Sequence, residues 1–402
     1  MNFDYSPVQV ELRNSLTKYF EKNYSFENRQ QYSSQSIGFS ERVWQHFAQI
    51  GLLGLTVPVS YGGFCEVNES SLLSLEASNA VDAMWIMEIF GSVLCLEPYI
   101  SSVVMGVGAL LQAGSMKQKQ DLIPKISAGQ LRIACAILEP TSRYSYEHVA
   151  MNAKLECRDG SSNKSWLLTG LKSVVLCANS AHFFMVSART SGEKSDTHGI
   201  SLFCIPADTP GISLSSYPTH DGSRASDIAF DGVQVTEDNL VGKIDEGFDV
   251  IENMIARASA ALCAEAVGVM SRLCDLTLRY LKTRQQFGVT IGNFQALQHR
   301  MADMIVATEQ ARSMAFLAAQ SFANSDRKKK LRDVSAAKAY ISSAGRLVAQ
   351  EAIQMHGGIG VTNELSVGHY FKRMTLITHS FGDFNHHIGV VSDYLLLQSV
   401  NN

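Results

Sequence analysis

Two stretches of this chain carry residue types that can hold a charged, planar ligand. The first is Thr283-Arg284-Gln285-Gln286-Phe287-Gly288-Val289-Thr290-Ile291-Gly292-Asn293-Phe294-Gln295, which lies between two long apolar-periodic segments and reads as a tight loop joining two helices. Arg284 offers a planar, permanently charged fork suited to a phosphate oxygen, and Phe287 offers a flat face for a ring. Gly288 and Gly292 let the chain turn sharply. Taken alone, an ordinary helix-helix turn with one surface arginine explains this stretch equally well. The second stretch is Gln354-Met355-His356-Gly357-Gly358-Ile359-Gly360 at the end of a helical segment. Paired glycines let a backbone approach a ligand closely and expose amide donors to phosphate. A Schellman-type helix stop accounts for one of these glycines well and for three less well.

Composition narrows the function classes. The 402 residues are 46% hydrophobic, a soluble globular composition, and at ~150 residues per domain they predict two or three domains. A net charge of −4 leaves no basic footprint for nucleic acid. The one charge run, Arg327-Lys328-Lys329-Lys330 with Arg332, reads as a solvated loop between helices. The amino terminus has no signal-peptide layout, and no window approaches the ~20 uninterrupted apolar residues of a membrane span. Eight cysteines without C-x-x-C pairing, mostly in apolar runs, read as reduced core residues of a cytoplasmic protein, with neither a disulfide framework nor zinc.

The elements that must position the two motifs follow from periodicity. Ser6-Pro7 and Ser40 are helix starts, and Gly51 ends the second of these helices. From Ser70 to Leu122 the pattern stays helical. β-leaning runs then occupy Arg132–Leu138, Asn152–Cys157, Ser165–Leu176, His182–Ala188, Ile200–Ile205 and Asp227–Val235, separated by Asp-Gly, Ser-Gly and Pro-Gly turns. Short strands without intervening helices predict an antiparallel barrel or sandwich, and no strand is followed by a G-x-G-x-x-G nicotinamide fingerprint. After Val241-Gly242 the chain is helical again. A stripe runs from Ile251 to Tyr280, a second helix covers about Phe294–Asn324, and a third covers about Arg332–His356. A last one starts near Ser366 and, after a break, reaches Leu397. The fold class is therefore α+β, with an N-terminal helical domain (1–130), a middle β domain (131–240) and a C-terminal helical bundle (241–402).

This order resembles the acyl-CoA dehydrogenase family over nearly the whole chain. Besides the two motifs above, Gly51 to Gly63 resembles the family's amino-terminal signature, and Lys117 to Lys125 its boundary before the middle domain. The resemblance implies an FAD enzyme acting on acyl-CoA thioesters, with an electron-transfer flavoprotein as acceptor. It also implies that Arg284, Gln286, Phe287, Gln295, Gln354, Gly357 and Gly358 grip the nucleotide end of a flavin bound mainly by a neighbouring subunit.

The other half of that site departs from the family. The T-E-P-G-x-G-S-D segment is here Leu138-Glu139-Pro140-Thr141-Ser142-Arg143-Tyr144-Ser145, and the W-I-T that follows G-x-K is Val174-Val175-Leu176 after Gly170-Leu171-Lys172. The residues that bond and cover the flavin ring are absent. The family's catalytic glutamate, which takes the α-proton in a dry pocket, falls on Phe381 in Ser380-Phe381-Gly382-Asp383. In another branch it falls on Ala258. Asp383 and Glu265 are the remaining carboxylates, each weaker as a base than as a structural or paired group. Phe381-Gly382-Asp383-Phe384-Asn385-His386-His387 looks like the ending of subunits from heteromeric acyl-CoA dehydrogenases acting on steroid side-chain thioesters. Adjacent helical histidines point roughly 100° apart, so no metal is expected. The expectation is a subunit that completes the flavin site of a paralogous partner, which brings the glutamate. A homo-oligomeric flavoprotein with another base, or a non-catalytic CoA-ester-binding scaffold, are the alternatives.

Overall fold

The computed structural model of the chain describes residues 7–66, 72–156 and 164–400, so Ser6, Ser70, Cys157 and the Asp159-Gly160 turn lie outside the described residues. Six helices come first: α1 (Pro7–Asn23), α2 (Phe26–Ser34), α3 (Glu41–Gln49), α4 (Leu72–Val93), α5 (Gly108–Ala113) and α6 (Met116–Ser127). Eight strands follow, β1 (Ile133–Ala136), β2 (Asn152–Glu156), β3 (Ser165–Leu176), β4 (Phe183–Arg189), β5 (Ile200–Pro206), β6 (Ile212–Pro218), β7 (Arg224–Thr236) and β8 (Leu240–Val241). The remainder is α7 (Phe248–Thr283), the short pair β9 (Gln285–Gln286) and β10 (Val289–Thr290), then α8 (Gln295–Gln320), α9 (Arg327–His356), α10 (Ser366–His379) and α11 (Phe384–Val400).

These elements pack as two compact units. A sheet unit comprises residues 32–68 and 96–258, and a helical unit comprises residues 1–31, 69–95 and 259–402. The partition cuts across the first 130 residues, because α1 and α4 pack with the late helices while α3, α5 and α6 pack with the strands.

In the sheet unit the strand order is β6-β7-β3-β2-β4-β5-β8, with β1 beside β4. The pairings are mainly antiparallel, as expected, with two parallel exceptions: β1 runs parallel to β4, and β2 meets β4 in parallel at Asn152 and Arg189. The β2–β3 hairpin lies between β1 and β4 in the chain, so β4 runs in the same direction as β1. Strands β4 and β5 are buried on both faces, which is why each reads as a nearly continuous apolar run. Strand β6 was not foreseen. Its ISLSSYP sequence is polar and its side chains face outward, as suits an edge strand. Helix α3 starts where Ser40 predicts, with its hydroxyl accepting from Val43 N. Helix α6 carries a Ser115–Gln118 capping box, and the Gln118 amide then donates to Asp238 O and Leu240 O, tying the helix to β8.

In the helical unit α7 is the core. It is long and apolar enough to cross a membrane, yet 89% of its most apolar window is buried inside the protein. Helix α4 crosses it closely, and a Cβ on Gly268 would lie 1.9 Å from Glu88 O while one on Gly91 would lie 2.0 Å from Glu265 O. Helix α9 packs on α8, α10 and α11. The basic run belongs to its first turn and not to a loop. Asp326 caps that turn by accepting from Lys328 N (2.9 Å) and Lys329 N (3.1 Å), and Lys330 is buried with its ammonium over the Phe322 ring.

Candidate functional site

The helical unit holds the whole nucleotide-binding expectation on two helix ends. After α7, strands β9 and β10 form a minimal hairpin, pairing Gln286 with Val289 and Gln285 with Thr290. Its two turn residues are Phe287 (φ 54°) and Gly288 (φ 81°), both with the positive φ that a type I′ turn requires. Glycine adopts this freely, whereas phenylalanine does so at a cost of order 1–3 kcal/mol. Phe287 is also 91% exposed, resting edge-on against Phe294 at 6.2 Å. The turn tip therefore presents a strained aromatic ring to solvent. Gly292 does not take a positive φ. It serves close packing instead, since a Cβ there would come 2.9 Å from Leu281 O.

The second helix end is the carboxy terminus of α9. Gly357 (φ 65°) caps it, with its N–H donating to Gln354 O and Ile353 O. A Cβ on Gly357 or Gly358 would meet nothing within 4 Å, so the two glycines form an open backbone ledge. Tyr280 and His356 join the two ends by a ring stack, with centroids 4.5 Å apart and planes inclined 26°. Arg284 lies one turn beyond Tyr280, whose carbonyl accepts its N–H at 2.8 Å. Arg284, Gln286, Gln295 and Gln354 are exposed, and their side chains have no hydrogen-bond partner among the described residues. A free guanidinium, free amides, an exposed ring and an open glycine ledge fit the nucleotide end of FAD.

The carboxylate candidates are committed to structure. Glu265 is 1% exposed and meets Arg373 side by side, with Nη2 to Oε2 at 2.7 Å. Asp383 caps α11 through His386 N at 2.9 Å. Ala258 is fully buried, and Phe381 (φ 57°) sits in the turn between α10 and α11. That turn has a support the sequence did not reveal. Lys338, fully buried on α9, donates to Ile377 O at 2.7 Å and Gly382 O at 3.3 Å. Burial pushes its ammonium down to about 8, with Cys263 and Asp383 acting in the other direction. His387 is buried beside it and pushed down to about 3, first by desolvation and then by Lys338 and His386. Among the described residues no three His, Cys, Asp or Glu side chains converge as metal ligands.

In the sheet unit, the two segments that would face a flavin ring lie side by side, with Ser173 N donating to Leu138 O at 2.9 Å. Beneath them is a buried ion pair: Lys172 Nζ bonds Glu139 Oε1 at 2.7 Å and Ser187 Oγ at 2.9 Å, while Glu139 also accepts from Ala150 N and Met151 N. Both partners stand in the motifs read from the sequence, but their pairing across 33 residues leaves no local signal. The surface above is different. A β-bulge between Lys172 and Val175 turns Val174 to φ 52°, leaves its side chain 47% exposed and directs its N–H to Asp227 Oδ1 at 3.0 Å. Tyr217 OH donates to the same oxygen, and burial with that carboxylate pushes its phenol up to about 12. Leu138, Val174 and Leu176 offer no side-chain hydrogen-bond donor to a ring placed here.

Three models of one family match in sequence: acyl-CoA dehydrogenase N-terminal domain over residues 6–130, middle domain over 134–233 and C-terminal domain over 245–396. The probable acyl-CoA dehydrogenase YngJ of Bacillus subtilis is 26% identical over 372 residues, covering 91% of this chain and 92% of that one. Among solved structures, the ChsE4-ChsE5 complex of Mycobacterium tuberculosis superposes with a TM-score of 0.84 at 23% identity, covering 98% of this chain and 99% of that one. A variant of the Tcur3481-Tcur3483 steroid acyl-CoA dehydrogenase does so at 0.83 and 24%, with the same coverage.

Proposed function

Because the chain belongs to the acyl-CoA dehydrogenase family, an FAD-dependent oxidoreductase family, we propose that it is one subunit of a heteromeric acyl-CoA dehydrogenase. In this reading it completes the nucleotide end of a flavin site, while a paralogous partner provides the ring cradle and the catalytic carboxylate. One observation carries the reading. Arg284, Gln286, Gln295 and Gln354 are exposed beside the open Gly357-Gly358 backbone, whereas Leu138, Val174 and Leu176 offer no side-chain donor and Phe381 and Ala258 stand at the two glutamate positions of the same chain, which supports the reading.

When bound, FAD would supply the hydride acceptor for the thioester's β-carbon, with a carboxylate of the partner taking the α-proton, so that the product would be a 2-enoyl-CoA. This chain's residues hold and orient. Arg284 would pair a phosphate oxygen through its fork, and the open backbone at Gly357-Gly358 would let the same group approach closely. Phe287 covers a ring face, while Gln286, Gln295 and Gln354 supply neutral hydrogen bonds. A steroid side-chain thioester is the substrate we favour, supported by the Phe381–His387 ending and by likeness to a steroid enzyme. An electron-transfer flavoprotein is the acceptor implied by the family. Free, buried thiols at Cys204, Cys263 and Cys274 suit a cytoplasmic location.

Purification of the chain alone, and together with the product of the adjacent gene, tests the reading. The expected result is a colourless protein alone and a yellow, thioester-oxidising complex. A yellow, active preparation of this chain by itself overturns it. Absence of flavin from both preparations favours a scaffold role instead.

A further inference from the structure

The Tyr280–His356 stack has no counterpart in the chemistry described so far. Tyr280 is one helical turn before Arg284 and its carbonyl holds the Arg284 N–H. His356 immediately precedes Gly357, the first glycine of the ledge. The imidazole is 5% exposed, and its Nδ1 lies 2.8 Å from Ala352 O, so Nδ1 carries the proton and the ring is fixed in orientation. Desolvation lowers the basicity of His356, against the opposing effect of its bond to Ala352. Both motifs follow their helices in exposed turns; the β9–β10 tip touches Phe294 of its own loop, and a Cβ on Gly288, Gly357 or Gly358 would meet nothing within 4 Å.

We propose that Tyr280 and His356 are positioning residues that fix the Arg284 hairpin and the Gly357-Gly358 ledge in the relative register a dinucleotide needs. This rests on the reading of these motifs as a nucleotide grip. The stack touches no ligand. It acts by holding two binding elements in place before binding, so that less ordering remains when the nucleotide arrives. The role requires a flat ring at position 356 and not an ionisable one.

The test uses the co-purified complex, stripped of flavin and titrated with FAD while protein fluorescence is followed. His356→Phe keeps a stackable ring and is expected to retain wild-type affinity. His356→Ala and Tyr280→Leu are each expected to weaken FAD binding roughly five- to tenfold, the scale of a stacked pair's coupling. The double variant is expected to weaken it no further, because either change already removes the stack. Amide exchange across residues 285–290 is expected to quicken in the single variants and not in His356→Phe. Unchanged affinity in His356→Ala, with Arg284→Met still losing flavin, overturns the pin and leaves the grip standing. Unchanged affinity in Arg284→Met as well overturns the grip itself. A folding defect in Tyr280→Leu leaves the His356 pair of variants as the deciding comparison, and equal losses in Phe and Ala overturn the proposal.

Discussion

Glu265 shows how a residue that sequence leaves ambiguous becomes decided by one contact. A carboxylate two turns beyond a family base position could be a displaced base, but the Arg373 guanidinium pairs with both oxygens of the buried Glu265. Held on both oxygens by one guanidinium, Glu265 is a structural tie between α7 and α10. Arg373→Met should therefore destabilise the chain by about 3–5 kcal/mol, because it leaves a buried charge unpaired. Adding Glu265→Gln should recover much of that loss, and urea unfolding of the single and double variants measures both. Loss of turnover in Glu265→Gln at unchanged stability would instead identify a base. His387 makes a second prediction at this scale. Its imidazole falls from an ordinary value near 6.5 in the unfolded chain to about 3 when folded, so the folded state binds fewer protons between these limits. Its contribution to stability is complete above pH 6.5 and is lost as pH falls toward 3, at up to about 1.4 kcal/mol per pH unit. The acid limb of a stability–pH curve should be shallower by about one proton in His387→Phe than in the unaltered chain. An unchanged limb would place the acid sensitivity elsewhere.

At the scale of elements, the hairpin after α7 combines a stability cost with a binding use. Phe287 in a left-handed conformation is unfavourable, and asparagine is preferred there. Phe287→Asn should raise the unfolding free energy by about 0.5–1 kcal/mol while lowering the flavin content of the complex, a trade that thermal melts and flavin absorbance read separately. A loss of both would mean that the ring packs within its own chain. The α4–α7 crossing carries a harsher prediction. Gly268→Ala places a Cβ against Glu88 O and should cost about 3 kcal/mol through forced separation of the helices, seen as a lower urea midpoint. Much at this scale was legible in the sequence. Periodicity located α7 to α11 and most strands, and Ser40 marked the start of α3 through a local cap. Three features were hidden for physical reasons. Strand β6 is a polar edge whose pairing with β7 is set by its neighbour and not by its own pattern. The parallel β1–β4 pair depends on topology that strand-by-strand reading cannot supply. The start of α9 was placed late because four cations oppose a helix dipole, and only the Asp326 cap and the burial of Lys330 make that turn helical.

At the scale of the molecule, the site motifs were visible as residue types, but the relations between them were not. The Glu139–Lys172 pair, the Lys338 support under the Phe381 turn and the Tyr280–His356 stack all join residues far apart in the chain. In the proposed reading, this chain keeps the nucleotide grip but lacks the ring-facing side chains and the glutamate. The loss is thus spread over separate segments, which makes a distinct prediction. A pair of unlike chains contains two potential flavin sites. One combines the partner's ring cradle with this chain's grip, and the other combines this chain's Leu138, Val174 and Leu176 surface with the partner's grip. In the proposed reading only the first is complete, so the complex should carry one flavin for each pair of chains. Phe381→Glu, which returns a carboxylate to the turn, should leave that count unchanged. It should also fail to rescue turnover when the partner's own glutamate is removed, since no ring lies within its reach. Flavin absorbance per chain and thioester oxidation by the rebuilt complex decide the matter. Two flavins per pair, or rescue by Phe381→Glu alone, would mean that this chain's sheet unit cradles a flavin ring despite lacking side-chain donors.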